Sequence, residues 1–108
     1  MAFVYMVRCL DDSIYTGIAK DIEKRLCEHK QKVKAGAKYT KSHEIVKLEA
    51  LWETKLYSDA AKLEYRIKRL TRQDKLLLIK RPTKYKLFFE DIAHIKFCAK
   101  RNLEKYDI

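Results

Sequence analysis

Glycine, proline and cysteine are scarce in this sequence of 108 residues, which contains two glycines, one proline and three cysteines. The low glycine and proline content excludes a collagen-like repeat and a flexible linker, because both depend on these residues. Aliphatic and aromatic residues recur along the whole length, which excludes a disordered chain. The length suits one globular domain with a single modest core.

Long apolar runs are also absent, since no stretch approaches the length of about 18 residues that a membrane-spanning helix needs. The first residues lack the basic region and the cleavage site of a signal peptide. Cys9, Cys27 and Cys98 are odd in number and far apart, which fits neither a disulfide framework nor a CxxC metal site. We therefore expect reduced thiols, a cytoplasmic location and no membrane partner.

Positive charge is in excess. The chain has 25 Lys and Arg against 15 Asp and Glu, a net charge of +10. Residues 87–108 hold four basic and four acidic residues, so the whole excess lies before them. It is concentrated in residues 20–41, with eight basic and three acidic residues, and in residues 62–86, with ten and two. Such a surplus indicates a polyanionic partner, most simply nucleic acid, although general solubility also explains it.

Local patterns in the first half predict two strands, a helix and a third strand. Residues 3–8 and 13–18 are rich in aromatic and β-branched side chains, and the turn-forming residues between them predict a β-hairpin. A helix is predicted from its cap at Asp21 to about Val33, because apolar residues recur there at helical spacing. Residues 45–54 predict the third strand.

The second half is predicted to contain two helices and a tail. Ser58 caps a helix with an apolar stripe, and Thr71 caps a second helix that Pro82 ends. The predicted class is therefore α/β (α+β), with the order β-β-α-β-α-α and a helical C-terminal extension. We divide the chain into a domain at residues 1–81 and an extension at residues 82–108 that packs on the same domain.

Two tyrosines stand out in the predicted hairpin. Tyr5 and Tyr15 lie at odd positions of neighbouring strands, so they can project from one face with their hydroxyls close together. Gly17 follows in the second strand, and a glycine within a strand often marks the close approach of a ligand or another backbone. A packed aromatic pair is the structural alternative.

Three further residues lie beside the apolar stripes of the predicted helices. Arg25 and His29 share the face expected to dock on the sheet, where a long cation either reaches solvent or serves a site. Glu64 stands at the edge of a later stripe, where a carboxylate is costly unless it is paired or binds a metal. An exposed pair with Lys68 is the routine alternative to a divalent ion held by Glu64 and a substrate phosphate.

These residues stand at the spacings of one known family. The segments VYMV and IYTG place Tyr5 and Tyr15 ten residues apart. The continuation IYTGIAKDIEKRLCEHK adds an arginine ten residues later, Arg25, and then His29, while SDAAKLEYRIKRLTRQDKLLLI carries Glu64. The pattern resembles the GIY-YIG nuclease family, and most closely its small stand-alone bacterial single-domain members.

The resemblance covers about residues 2–81 and implies a central three-stranded antiparallel sheet flanked by helices. It implies a divalent-metal-dependent endonuclease that hydrolyses DNA, with structured or damaged DNA among the candidate substrates. In the implied mechanism one of the two tyrosines assists the attacking water, and His29 positions or deprotonates the attacking group. One Mg²⁺ or Mn²⁺ ion on Glu64 stabilises the leaving oxygen, and Arg25 stabilises charge on the phosphoryl oxygens.

Basic residues are the candidates for phosphate contact, and those predicted to bind nucleic acid are Lys20, Lys38, Lys41, Arg66 and Arg69. A basic module that keeps this fold and binds nucleic acid with little cleavage explains the charge equally well. An adaptor that binds proteins through its aromatic tail is a third hypothesis. Glu64 separates the first two, because a pure binder needs no metal ligand.

Overall fold

A computed structural model of the chain describes residues 2–34, 45–81 and 95–97, with side chains over residues 2–28 and 45–81. Four strands form one antiparallel sheet in the order β2-β1-β3-β4, namely β1 (Ala2–Cys9), β2 (Ile14–Ala19), β3 (Ile45–Thr54) and β4 (Ile95–Phe97). The helices in these ranges are α1 (Ile22–Lys34), α2 (Tyr57–Lys68) and α3 (Arg72–Lys80).

A tight turn closes the β1–β2 hairpin and sets its register. The Cys9 N–H donates to the Ser13 carbonyl oxygen at 2.9 Å, and the Asp12 N–H donates to the Cys9 carbonyl oxygen at 2.9 Å. Asp12 adopts a positive φ of 66°, a conformation that aspartate tolerates better than most residues. The resulting register pairs Tyr5 with Gly17.

Helices cover both faces of the sheet, so the central strand β1 is buried on each side. On one face, α2 and α3 pack against β1 and β3 in a cluster whose largest members are Val4, Met6, Trp52, Leu63, Ile67 and Leu78. On the other face, Ile22 and Leu26 of α1 pack with Tyr5 in a second cluster. Alternate residues of one strand therefore belong to different clusters.

The three predicted strands and the order β-β-α-β-α-α are confirmed. Two predicted caps are also present, because the side-chain hydrogen bonds that define them are made. An Asp21 carboxylate oxygen accepts from the Lys24 N–H at 3.1 Å, and the Thr71 hydroxyl oxygen accepts from the Asp74 N–H at 3.2 Å.

The predicted cap at Ser58 is wrong. Helix α2 begins one residue earlier, at Tyr57, and Leu56 occupies the N-cap position without a side-chain hydrogen bond. The Leu56 carbonyl oxygen accepts from the Ala60 N–H at 3.3 Å, which starts the helical hydrogen bonds there and leaves Ser58 inside the first turn.

The C-terminal extension contributes a strand where a helix was predicted. Ile95–Phe97 pairs antiparallel with β3, with Trp52 opposite Phe97 and Thr54 opposite Ile95. The spacing of apolar residues in the extension carries no information about the edge of β3. The backbone groups on that edge can form hydrogen bonds with an extended segment that contains β-branched and aromatic residues. The helical prediction is therefore wrong for these three residues, and the rest of the extension lies outside the described residues.

The sequence predicted neither a disulfide nor a membrane-spanning helix, and the described residues bear on both predictions. Cys9 is buried and Cys27 is exposed, and these two described cysteines form no disulfide. No helix in the same part of the chain is long and apolar enough to cross a membrane.

We predict that Gly17→Ala destabilises the fold by about 1–3 kcal/mol, the usual cost of overpacking a core. A Cβ atom at position 17 would overlap the hydroxyl and Cζ of Tyr5 and lie 3.0 Å from its Cε1. The Tyr5 ring is 1% exposed, so its neighbours restrict its movement. Urea denaturation of both proteins measures the difference, and the double variant with Tyr5→Leu should recover part of it. Equal stability of Gly17→Ala and wild type would contradict this packing.

Candidate active site at the edge of the sheet

The candidate site lies along β2, the strand at one end of the sheet order. No strand of the described ranges pairs with the outer edge of β2. Helix α1 follows β2 and packs on one face of the sheet, whereas α2 packs against β2 and β1 on the other. Side chains from β1, β2, α1 and α2 can therefore meet at this edge.

The two tyrosines are close together but differ in their access to solvent. Their ring centroids are 6.3 Å apart, and their planes are tilted by 48°. Tyr5 is 1% exposed and its ring packs over Gly17, whereas Tyr15 is 46% exposed. The register accounts for this, because Tyr15 is paired with Val7 and lies diagonally from Tyr5 on the same face. The rings therefore form the aromatic pair that the sequence offered as the structural alternative, and a catalytic role of the two hydroxyls stays a prediction. Tyr15 is the more accessible of the two.

Burial raises the pKa of Tyr5 to about 12. Desolvation is the largest cause, and the adjacent Tyr15 adds to it; Arg25 lowers the pKa, whereas Glu64 and Glu28 raise it. Coulombic effects weaken with distance, so these influences indicate that groups on α1 and α2 lie near the Tyr5 hydroxyl. Near neutral pH Tyr5 is an uncharged phenol that can donate a hydrogen bond.

Glu64 lies where the buried stripe of α2 meets solvent, and its side chain is 22% exposed. One of its carboxylate oxygens is 3.8 Å from the Nζ of Lys68. The same ammonium is 5.9 Å from the centroid of the Tyr15 ring. The Glu64–Lys68 pair that the sequence offered as an alternative therefore exists, and it borders the site. Sequence reasoning missed Lys68 as a member of this site, although its position one turn after Glu64 was a signal.

Arg25 projects from α1 into solvent and pairs with Glu28 at 3.9 Å. It lines a cleft of about 330 Å³ between the first turns of α1 and α2, together with Lys20, Lys24 and Tyr57. The Lys20 ammonium is 5.7 Å from the centroid of the Tyr57 ring. Lys24 and Tyr57 were missed by sequence reasoning. Lys24 lies within the first basic stretch, whereas no sequence signal links Tyr57 to this strand.

Two of the predicted nucleic-acid contacts lie away from this edge. Successive residues turn by about 100° around a helix, so Arg66 lies on the flank of α2 opposite Glu64. Arg69 projects from the outer side of α2, where it donates a hydrogen bond to the Tyr65 hydroxyl at 2.7 Å. Its guanidinium carbon is also 5.4 Å from the centroid of the Tyr65 ring. Contact of these arginines with nucleic acid stays a prediction.

Three other predicted residues cannot be added to the site. The backbone of His29 belongs to α1, one turn after Arg25. Its side chain lies outside the described residues, as do Lys38 and Lys41. Their predicted roles therefore stay predictions.

The carboxylate of Glu64 fits a single divalent ion that is shared with substrate. No group of three or more His, Cys, Asp or Glu side chains that could hold a metal occurs in the part of the chain that the structure describes. Mg²⁺ is commonly bound by one or two carboxylates, with water and substrate phosphates as its other ligands. The Glu64 side chain is partly exposed, so an ion and a substrate phosphate can reach its carboxylate.

Comparison with known proteins identifies the family of the chain. Residues 1–77 match the family described as the GIY-YIG catalytic domain. This domain indicates a nuclease with a nucleic-acid substrate, and nucleases of this family generally use a divalent metal ion.

Small bacterial proteins match most of the chain. The UPF0213 protein of Fusobacterium nucleatum is 43% identical over 94 residues, which cover 87% of this chain and 92% of the relative. A UPF0213 protein of Staphylococcus aureus is 51% identical over 80 residues, which cover 72% of this chain and 93% of the relative. The solution NMR structure of a UPF0213 protein from Bacillus halodurans is 34% identical, covers 74% of this chain and 84% of that one, and has a TM-score of 0.49. The family match over residues 1–77 and the two sequence relatives show that the chain belongs to the GIY-YIG family, among its small single-domain UPF0213 proteins.

Proposed function

We propose that this protein is a divalent-metal-dependent endonuclease that hydrolyses DNA phosphodiester bonds at the edge of β2. The observation that carries the proposal is the contact between Tyr5 and Tyr15, beside which Arg25 and Glu64 act electrostatically on the Tyr5 hydroxyl. These four residues come from four different elements. Phosphodiester hydrolysis needs a group that assists water, a cation for the phosphoryl oxygens and stabilisation of the leaving oxygen. These residues supply the chemistry for each requirement.

Arg25 is the proposed ligand of the substrate phosphoryl oxygens. A guanidinium stays charged at any working pH and can donate two parallel hydrogen bonds to a phosphate. Its side chain is 45% exposed, so a DNA backbone can reach it without rearrangement of the fold. Lys20 and Lys24 line the same cleft and add positive charge along the path of the backbone.

Because Tyr5 is buried and Tyr15 is exposed, the two tyrosines are suited to different roles. With a pKa of about 12, only about one Tyr5 hydroxyl in 30,000 is ionised near pH 7.5. Tyr5 therefore acts better as an uncharged donor that orients the groups beside it. Tyr15 is 46% exposed, so its hydroxyl is the one that can contact and assist the attacking water.

Glu64 is the proposed ligand of one Mg²⁺ or Mn²⁺ ion. Such an ion stabilises the negative charge that develops on the leaving oxygen. In the metal-free protein Lys68, whose Nζ is 3.8 Å from Glu64, compensates part of the charge of this carboxylate. Ion binding and this pair therefore compete for the same oxygen atoms.

The Glu64–Lys68 pair also favours a second candidate function. If Glu64 only pairs with Lys68, the protein is a basic module that binds nucleic acid without cutting it. Its net charge of +10 and the cations of the cleft support binding in either case. The two functions differ in what Glu64 does.

Replacement of Glu64 by glutamine separates the two functions. Glu64→Gln keeps the size of the side chain but removes the charge that holds a cation, so we expect nicking of supercoiled DNA in Mg²⁺ to fall by orders of magnitude. Affinity for DNA in EDTA should hold or rise slightly, because one negative charge beside the phosphates is lost. A nicking assay and a binding assay with the same DNA measure both effects.

Glu53→Gln is the matched control for this replacement. Glu53 lies on β3, which β1 separates from β2, so the same chemical change there should leave nicking unaltered. Wild-type nicking rates for folded Glu64→Gln would show that Glu64 is only the surface partner of Lys68.

The roles of the tyrosines predict different losses on removal of each hydroxyl. Tyr15→Phe should lower the cleavage rate by about 10²–10⁴-fold, the usual contribution of general acid–base assistance, with DNA affinity preserved. Tyr5→Phe should lower the cleavage rate by a smaller factor, because the Tyr5 hydroxyl only orients its neighbours. Single-turnover cleavage by the two variants measures this difference. A greater loss of cleavage rate for Tyr5→Phe than for Tyr15→Phe would show that Tyr5 is the tyrosine that assists the water.

The raised pKa of Tyr5 predicts how stability depends on pH. Burial favours the uncharged phenol, so the stabilisation is complete below the unfolded pKa of about 10 and is lost as pH rises from about 10 to 12. Over that window the free energy of unfolding of wild type should fall relative to that of Tyr5→Phe, by at most about 2–3 kcal/mol. Urea denaturation at several pH values measures the change, and parallel curves for the two proteins would contradict it.

A further inference from the structure

The cleft beside Arg25 contains an aromatic residue that phosphodiester hydrolysis does not require. Tyr57 is the first residue of α2 and is 50% exposed. It lines the cleft opposite the first turn of α1, which contributes Lys24 and Arg25. An aromatic side chain and several cations therefore share one concave surface.

The half-exposed ring of Tyr57 is accessible to a ligand. The Lys20 ammonium is 5.7 Å from the ring centroid, a distance typical of a cation–π contact. Lys20 is itself exposed, so this ammonium can move aside and pair with a phosphate instead. A flat aromatic surface next to mobile cations is the combination that proteins use for single-stranded nucleic acid, because every base has a face that can stack.

The size of the cleft limits the ligand. Its volume of about 330 Å³ lies at the lower end of the range for small-molecule sites, which suits one nucleotide. The carboxylates of Asp21 and Glu28 also line it. They disfavour a second phosphate and can accept hydrogen bonds from the amino group of a base.

We propose that this cleft binds one unpaired nucleotide of the DNA substrate, with the base stacked on Tyr57 and the phosphate held by Lys20 and Lys24. A base inside a duplex is stacked on both faces by its neighbours, so it has no face to offer Tyr57. The inference rests on the proposed function, since Arg25 connects the cleft to the phosphodiester that is cut. It adds that the protein selects DNA with an unpaired nucleotide beside the cleaved bond.

Binding in EDTA tests the inference without cleavage. Fluorescence anisotropy with the full-length protein measures affinity for a single-stranded oligonucleotide and for the matching blunt duplex. Tyr57→Ala should weaken single-strand binding by about 5- to 150-fold, the effect of losing one stacked base. Duplex binding should change less than twofold, and Tyr57→Phe should bind single strands as wild type does.

Tyr65→Ala is the matched control. Tyr65 belongs to the same helix and is 60% exposed, but it lies on the outer side of α2 with Arg69. Because Arg69 is a predicted phosphate contact, the control is the ratio of the two affinities: replacement of Tyr65 should leave the preference for single-stranded over duplex DNA unaltered. If Tyr57→Ala does not fold, Tyr57→Leu keeps an apolar side chain without an aromatic face and should show the same loss.

Two results would overturn the inference. The first is unaltered single-strand affinity in folded Tyr57→Ala, and the second is an equal loss for single-stranded and duplex DNA. Because no turnover is needed, the outcome is separable from the proposed function. If the binding test fails but Mg²⁺-dependent nicking is normal, the inference of an unpaired-nucleotide site is wrong and the proposed endonuclease function stands. If wild type nicks no DNA, the proposed endonuclease function is wrong, but the binding test still gives a result.

Discussion

The packing of the Tyr5 ring over Gly17 joins β1 to β2 and holds the candidate site together. Gly17 has no side chain, so the ring fills the space above it and its hydroxyl reaches the edge of the sheet. The same register puts Tyr15 one diagonal step away, on the rim. Because α1 packs on this face, the ring is shielded from water and the hydroxyl loses its solvation. The position and burial of both tyrosines, and the protonation of Tyr5, thus depend on one steric fit.

Two charged side chains of the candidate site are paired with opposite charges. Glu64 is close to Lys68, and Arg25 is paired with Glu28. Exposed pairs of this kind contribute little to stability, so they can exchange partners at low cost. A phosphate can take Arg25 from its carboxylate, and a cation can take Glu64 from its lysine. The pairs are therefore compatible with a site that binds and releases charged substrate.

Arg25 links the cleft to the tyrosine pair. Its guanidinium acts to lower the pKa of Tyr5, and its side chain also lines the concave surface with Lys20 and Tyr57. A DNA strand bound in the cleft would therefore have its backbone beside this arginine. Recognition of a nucleotide and hydrolysis of the adjacent bond can thus use the same cation.

Local sequence determined the strand and helix order and the caps at Asp21 and Thr71, because alternation, helical periodicity and capping are properties of neighbouring residues. The spacing of residues in the sequence also predicted the tyrosine pair and the glutamate of α2 as candidate site residues, although their roles stay predictions. Tertiary structure alone decided which tyrosine is buried, since both stand in similar strands and only the packing of α1 and Gly17 distinguishes them. It likewise decided that residues 95–97 extend the sheet, and that Tyr57 meets Lys20, because these contacts join segments far apart in the chain.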